Sequence, residues 1–222
     1  MATSGTTAFN PDNGTVLEEA FELAGVEMRT GNDFESAIRS LDILKLEWGN
    51  EGLNLWTVEE ETLPITSGDG EYDLPVDTID LLHASIRTGT GTSQSDTRLR
   101  RVGFPRWSAL TSKNQVGFPT TIMVERKLQP VARIWPIPDR AYTLVYWRLR
   151  RIEDAGGVTS TLDMPTRFIP PIITGLAIKI AIKRDKYDKA NFLMPIYREQ
   201  LANAKEEDRD RSSFFVRPHI GR

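Results

Sequence analysis

The sequence has no cysteine and only two histidines, His83 and His219. The first absence excludes disulfides, thiolate chemistry and cysteine-based zinc sites, and it fits a reducing compartment. The second leaves no imidazoles at metal-ligand spacing, so neither a metal nor a cofactor is expected. His83 lies in an apolar stretch and reads as a packed or surface residue rather than a base. A large excess of either charge is missing too. With 28 Lys and Arg against 31 Asp and Glu, the net charge of −3 over 222 residues advertises no global field for nucleic acid. Long apolar runs are also absent. The most apolar stretch, Phe168 to Ile182, contains Pro170, Pro171 and Lys179. It falls short of the roughly 20 residues that a membrane-spanning helix needs. The opening "MATSGTTAFNPDNG" offers neither a basic flank nor an apolar core, so no signal peptide is expected. A charged fraction of 27% and a hydrophobic fraction of 39% are ordinary for a soluble globular chain, and no membrane partner is expected.

The motifs of catalysis are missing as well. No serine sits in a G-x-S-x-G elbow, and "GTGTS" lacks the lysine and helix of a phosphate-binding loop. The carboxylate runs Glu59–Glu61 and Glu206–Asp210 read as solvated faces. A paired acid and base would meet only in the fold. The expectation is a protein that is not an enzyme.

What is present is a change of period along the chain. Thr15 and Glu18 match a capping box, and Leu17, Phe21, Ala24 and Met28 follow at helical spacing. After Thr30-Gly31, Asn32 with Glu35 can open a second helix. Its apolar side is Phe34, Ala37, Ile38, Leu41, Leu44 and Trp48, and it ends at Gly49-Asn50-Glu51-Gly52. From Leu53 the pattern alternates, with Leu55, Thr57, Glu59 and Glu61 on one side and Trp56, Val58, Glu60 and Thr62 on the other. Extended runs are expected at 79–86, 120–126, 131–135 and 142–150, with a flexible polar loop over Gly89 to Asp96. In the last run Tyr142, Leu144, Tyr146, Arg148 and Arg150 share a face. Helical period returns with Pro170 and Pro171 in a first turn and Ile172, Ile173, Leu176, Ala177 and Ile180 behind them. A final helix is expected from about Asn191 to Arg211, with Pro195 in its first turn or kinking it. The expected fold is α+β: an antiparallel bundle of four main helices with a small antiparallel β domain inserted. Residues 1–56 and 153–211 would form the bundle, 57–152 the insertion, and 212–222 an extended C-terminal docking tail.

Two features invite a partner. Arg98, Arg100, Arg101 and Arg106 stand near Phe104 and Trp107, and Arg148, Arg150 and Arg151 follow Trp147. Arginine interleaved with aromatics can hold phosphates and stack bases, or the same arginines can pair with nearby acids or across a subunit interface. The second feature is "SSFFVRPHIGR". Aromatics are scarce in disordered tails, and Pro218 keeps the backbone before it extended. Phe214, Phe215, Val216, Arg217, Pro218 and His219 are therefore the expected partner-binding residues, the alternative being a disordered extension.

The phrases "LEWGNEGLNLWTVEEETLPITSGDGEYDLPVDTIDLLHASIRTG", "IWPIPDRAYTLVYWRLRRIEDAG" and "EEDRDRSSF", in that order, resemble the head-to-tail adaptor proteins of short-tailed bacteriophages. These are also described as tail accessory or tubular proteins. The resemblance spans roughly Val16 to Phe214. It implies a helical domain with a β insertion, no catalytic residues, and a homo-oligomeric ring, typically of twelve copies. That ring would lie between the portal protein and the tail nozzle or hub. It implies a virion component at the head–tail junction, made in the bacterial host cytoplasm. Its lumen would pass the genome, so non-specific contact with genomic DNA is the alternative expectation for the arginine clusters.

Overall fold

The structure, a computed structural model, describes Gly5, residues 9–53 and residues 55–207. The chain divides into two compact units, Met1–Leu53 with Glu153–Arg222, and Asn54–Ile152.

The first unit is helical. Helix α1 (Asn13–Ala24) starts at Asp12, whose carboxylate accepts from the Thr15 N–H at 2.8 Å, and it stops at Gly25 with φ 66°. The cap lies one turn earlier than the Thr15–Glu18 pattern implies. An Asx side chain reaching an orphan N–H outcompetes the later threonine. Helix α2 (Gly31–Asn50) opens with a capping box between Thr30 and Asp33 rather than at Asn32. Ala37, Leu41, Leu44 and Trp48 are buried along it as the spacing predicts. Helix α4 (Ile169–Lys183) carries Pro170 and Pro171 in its first turn and buries ten residues on nearly all its sides. A helix apolar all round must sit inside. It packs against α1, α2 and the last helix, α5 (Tyr187–Glu207). Gly175 permits that approach: a Cβ there would lie 2.8 Å from the Tyr197 ring and 3.0 Å from Leu44. Helix α5 begins four residues before the expected Asn191 and holds Pro195 in its interior.

The chain's return into this unit is fastened by polar contacts that no periodicity announces. Buried Asn13 donates to the carbonyls of Ala155 and Gly157, the latter at 2.9 Å. Asp42 accepts from the Ala155 N–H at 2.8 Å, and buried Lys45 donates to the Glu153 carbonyl at 2.9 Å. Burial holds the Lys45 ammonium below the usual lysine range, and the nearby Asp42 offsets part of that.

The second unit is built from strands. After a short 3₁₀ turn at Leu55–Thr57 come β1 (Val58–Ile65), β2 (Glu71–Asp73), β3 (Thr78–Thr88), β4 (Ser95–Arg98) and β5 (Arg100–Arg101). The short helix α3 (Phe104–Ser108) precedes β6 (Val116–Gly117), β7 (Thr121–Glu125), β8 (Val131–Trp135), β9 (Ile137–Pro138) and β10 (Tyr142–Arg150). One sheet has the order β1-β10-β3-β4, a second β2-β8-β7-β5, and β6 pairs with β9. Ile65, Leu81, Ala84, Ile86, Leu144 and Tyr146 from the first sheet share a core with Tyr72, Ile122, Ala132 and Ile134 from the second. Leu99 sits where the chain crosses from β4 to β5 and joins the same core.

The expected architecture is thereby corrected. Among the described residues there are five α-helices and ten strands in three sheets, not four main helices with a small antiparallel insertion. The strand content is substantial, and β5–β7 and β6–β9 pair in parallel. Strands of two or three residues carry no readable period, so composition alone under-counts them. The loop over Gly89 to Asp96 is also shorter than expected. It contains a 3₁₀ turn, and β4 begins at Ser95. Arg87 grips Asp96 through two 2.8 Å bonds and holds its carboxyl below the ordinary value.

Candidate partner-binding surfaces

The expected docking residues, Phe214, Phe215, Val216, Arg217, Pro218 and His219, lie outside the described residues. The two arginine clusters are described, and the structure separates them.

The cluster on β10 is largely spent within the fold. β1 pairs with β10 in antiparallel register, which sets Glu59 opposite Arg148 and Glu61 opposite Tyr146. Arg148 is 6% exposed. Its Nε donates to Glu61 at 2.8 Å, Nη1 to Asp77 at 2.7 Å, and Nη2 to Glu59 at 3.2 Å. Nη1 also reaches Thr78 Oγ1 at 3.3 Å. Arg150 donates to the other Glu59 oxygen at 2.6 Å. The Tyr146 hydroxyl donates to Glu61 at 2.9 Å, and burial together with that carboxylate pushes its pKa upward. Glu59 and Glu61 are therefore ion-pair partners and not the solvated face expected of them. Three carboxylates around one guanidinium use its donors on several sides, which leaves little for a phosphate.

The cluster around β5 differs. Arg101 and Arg126 both pair with Asp80, at 2.5 and 2.6 Å. Arg98, Arg100 and Arg106 are exposed and make no ion pair among the described residues. Phe104 beside them is 71% exposed. His83 is half-buried on β3 opposite Trp147.

The helical unit has features the sequence reading missed. Ile43 and Leu46 on α2, and Phe192 and Ile196 on α5, are exposed. In both pairs the spacing, i+3 or i+4, makes a short exposed apolar ridge. The signal was available as apolar residues out of phase with the buried stripe. On α4, Lys183 donates to the Ser36 carbonyl at 2.9 Å and to Ser40 Oγ at 2.6 Å. Burial, reinforced by Arg39 and Lys179, lowers its pKa. Among the described residues no three His, Asp or Glu side chains group to hold a metal ion. No described helix is long and apolar enough to cross a membrane.

A protein-family model described as SU10 adaptor protein matches residues 31–220. No curated protein matches the chain. The family match covers both arginine clusters, the exposed ridges of α2 and α5, and the diphenylalanine segment. By that match the chain belongs to the SU10 adaptor protein family, and at that level it is a structural adaptor of phage particles.

Proposed function

We propose that this chain is the subunit of a ring joining the portal protein to the tail nozzle or hub of a short-tailed phage, with twelve copies closing the ring. The family match over residues 31–220 carries the reading. The exposed apolar ridges support it: Ile43 with Leu46 on one helix, Phe192 with Ile196 on another. Identical subunits meeting head-to-tail need two different faces, and heterologous contacts of that kind close into rings. The sides of the helical unit then make the ring, the opposite surface meets the nozzle, and the assembled ring helps to close the DNA-filled head.

In this reading Phe214, Phe215, Val216, Arg217, Pro218 and His219 form an extended anchor on the portal or a neighbouring copy. Each phenylalanine buried there contributes about 1.5–3 kcal/mol, offset in part by ordering the segment. Repetition around a ring turns weak single contacts into strong avidity. Deleting residues 212–222, or changing Phe214 and Phe215 to Ala, should leave a folded monomer that does not enter virions. Quantifying the protein in purified particles tests this. Truncated protein recovered at the full-length level would remove the anchor from the account.

A second reading, contact with the genome, draws on Arg98, Arg100 and Arg106, which are exposed and make no ion pair among the described residues. It loses Arg148 and Arg150, which are held by carboxylates.

A further inference from the structure

Leu82 is a leucine displayed by an irregularity of the sheet. The pairing of β10 with β3 steps from Trp147↔His83 to Arg148↔Leu81, so Leu82 has no cross-strand partner. A bulge of this kind re-aims the side chain it releases, and Leu82 is 53% exposed. It lines a groove of about 410 Å³ floored by Leu99 and Ile122 and rimmed by Arg98 and Arg100. Arg101 and Val124 border both this groove and a second one of about 800 Å³ beside Phe104. The acids of the region are occupied. Asp80 holds Arg101 and Arg126, and Glu125 holds Arg133 at 2.5 Å and Lys127. The result is an apolar floor under a rim with unspent positive charge.

An occupant must bring both anionic groups and apolar side chains. Nucleic-acid phosphates would answer the rim, but they would leave Leu82 in water. A polypeptide with acids followed by aromatics answers both. This chain contains one, "EEDRDRSSFF" from Glu206 to Phe215, with four acids against two arginines before its two phenylalanines. We propose that the groove between β3, β5 and β7 receives Glu206–Phe215 of a neighbouring copy, acids against Arg98 and Arg100 and phenylalanines against Leu82 and the floor. The proposal rests on the ring reading, in which each copy offers one tail and one groove.

The test is a fluorescent peptide of residues 205–222 titrated onto the full-length protein and followed by anisotropy. Saturable binding is expected. Arg98→Glu with Arg100→Glu should weaken it at least about tenfold, because reversing rim charges sets like against like. A peptide carrying Glu206→Lys and Glu207→Lys should restore binding to that variant. Both arginines are exposed and make no ion pair among the described residues, so an unchanged melting curve is the folding control. No saturable binding, or binding indifferent to the two arginines, overturns the proposal. So does a DNA duplex that binds through the same arginines while the peptide does not. If the peptide binds only a protein whose own Phe214 and Phe215 are Ala, the groove holds its own tail, and the neighbouring copy is the wrong occupant. Portal-dependent assembly that persists without peptide binding rejects the groove alone. Peptide binding without a ring leaves the groove standing and rejects the ring.

Discussion

Replacing Arg148 with alanine should destabilise the β unit by about 3–5 kcal/mol, the range found when one partner of a buried ion pair is removed. The guanidinium is 6% exposed and answers Glu59, Glu61 and Asp77 together. Without it, Asp77 and Glu61 lose their guanidinium; among the described residues Glu61 keeps the Tyr146 hydroxyl and Glu59 keeps Arg150. The three acids are 31–44% exposed at their side chains, so water recovers part of the loss. The expected loss is therefore about 3 kcal/mol. Arg148→Met alone should not rescue stability, since it restores volume and not charge. Combining it with Glu61→Leu should recover much of the loss, because an apolar replacement of a buried pair is often neutral. Urea unfolding gives the energies. Hydrogen exchange should show lost protection in β1 and β10. A loss below 1 kcal/mol for Arg148→Ala would mean that the cluster is a surface feature.

The second large effect belongs to Trp48. Its side chain is fully buried, its ring lies 5.7 Å from that of Phe168, and its Nε1 donates to the Tyr197 hydroxyl at 2.8 Å. Trp48→Ala should cost about 3–5 kcal/mol through the cavity it leaves. Trp48→Phe should cost less, about 1–3 kcal/mol, mainly by leaving the half-buried Tyr197 hydroxyl without its donor. Adding Tyr197→Phe to Trp48→Phe should therefore recover stability. Loss of amide protection should concentrate in α2, α4 and α5. Equal losses for the Ala and Phe variants would show that the hydrogen bond and not the packing dominates.

The pattern of residues that made these sites readable was local. Alternation along 142–150 placed Tyr146, Arg148 and Arg150 on one face, and alternation along 57–61 did the same for Glu59 and Glu61. Nothing local said that the two faces meet, because register is a long-range property of strand pairing. From the sequence alone the carboxylates therefore read as a solvated face. The helices of the first unit were legible from Leu41, Leu44 and Trp48 and from Ile172, Leu176 and Ile180. Their arrangement about α4 was not, since it depends on Gly175 letting Tyr197 and Leu44 approach. The bulge at Leu82 was hidden for the same reason as the register. Asn13, Asp42 and Lys45 fasten the chain's return through backbone carbonyls and an N–H, and hydropathy patterns are silent on such partners.

Identical copies of this chain, in the proposed function, form a ring templated by the portal. This is tested most directly by measuring the mass of the purified protein at micromolar concentration, alone and after mixing with portal. A monomer or weak association is expected alone and, with portal, a complex carrying twelve copies of this chain. A protein that stays monomeric in the presence of portal would contradict it.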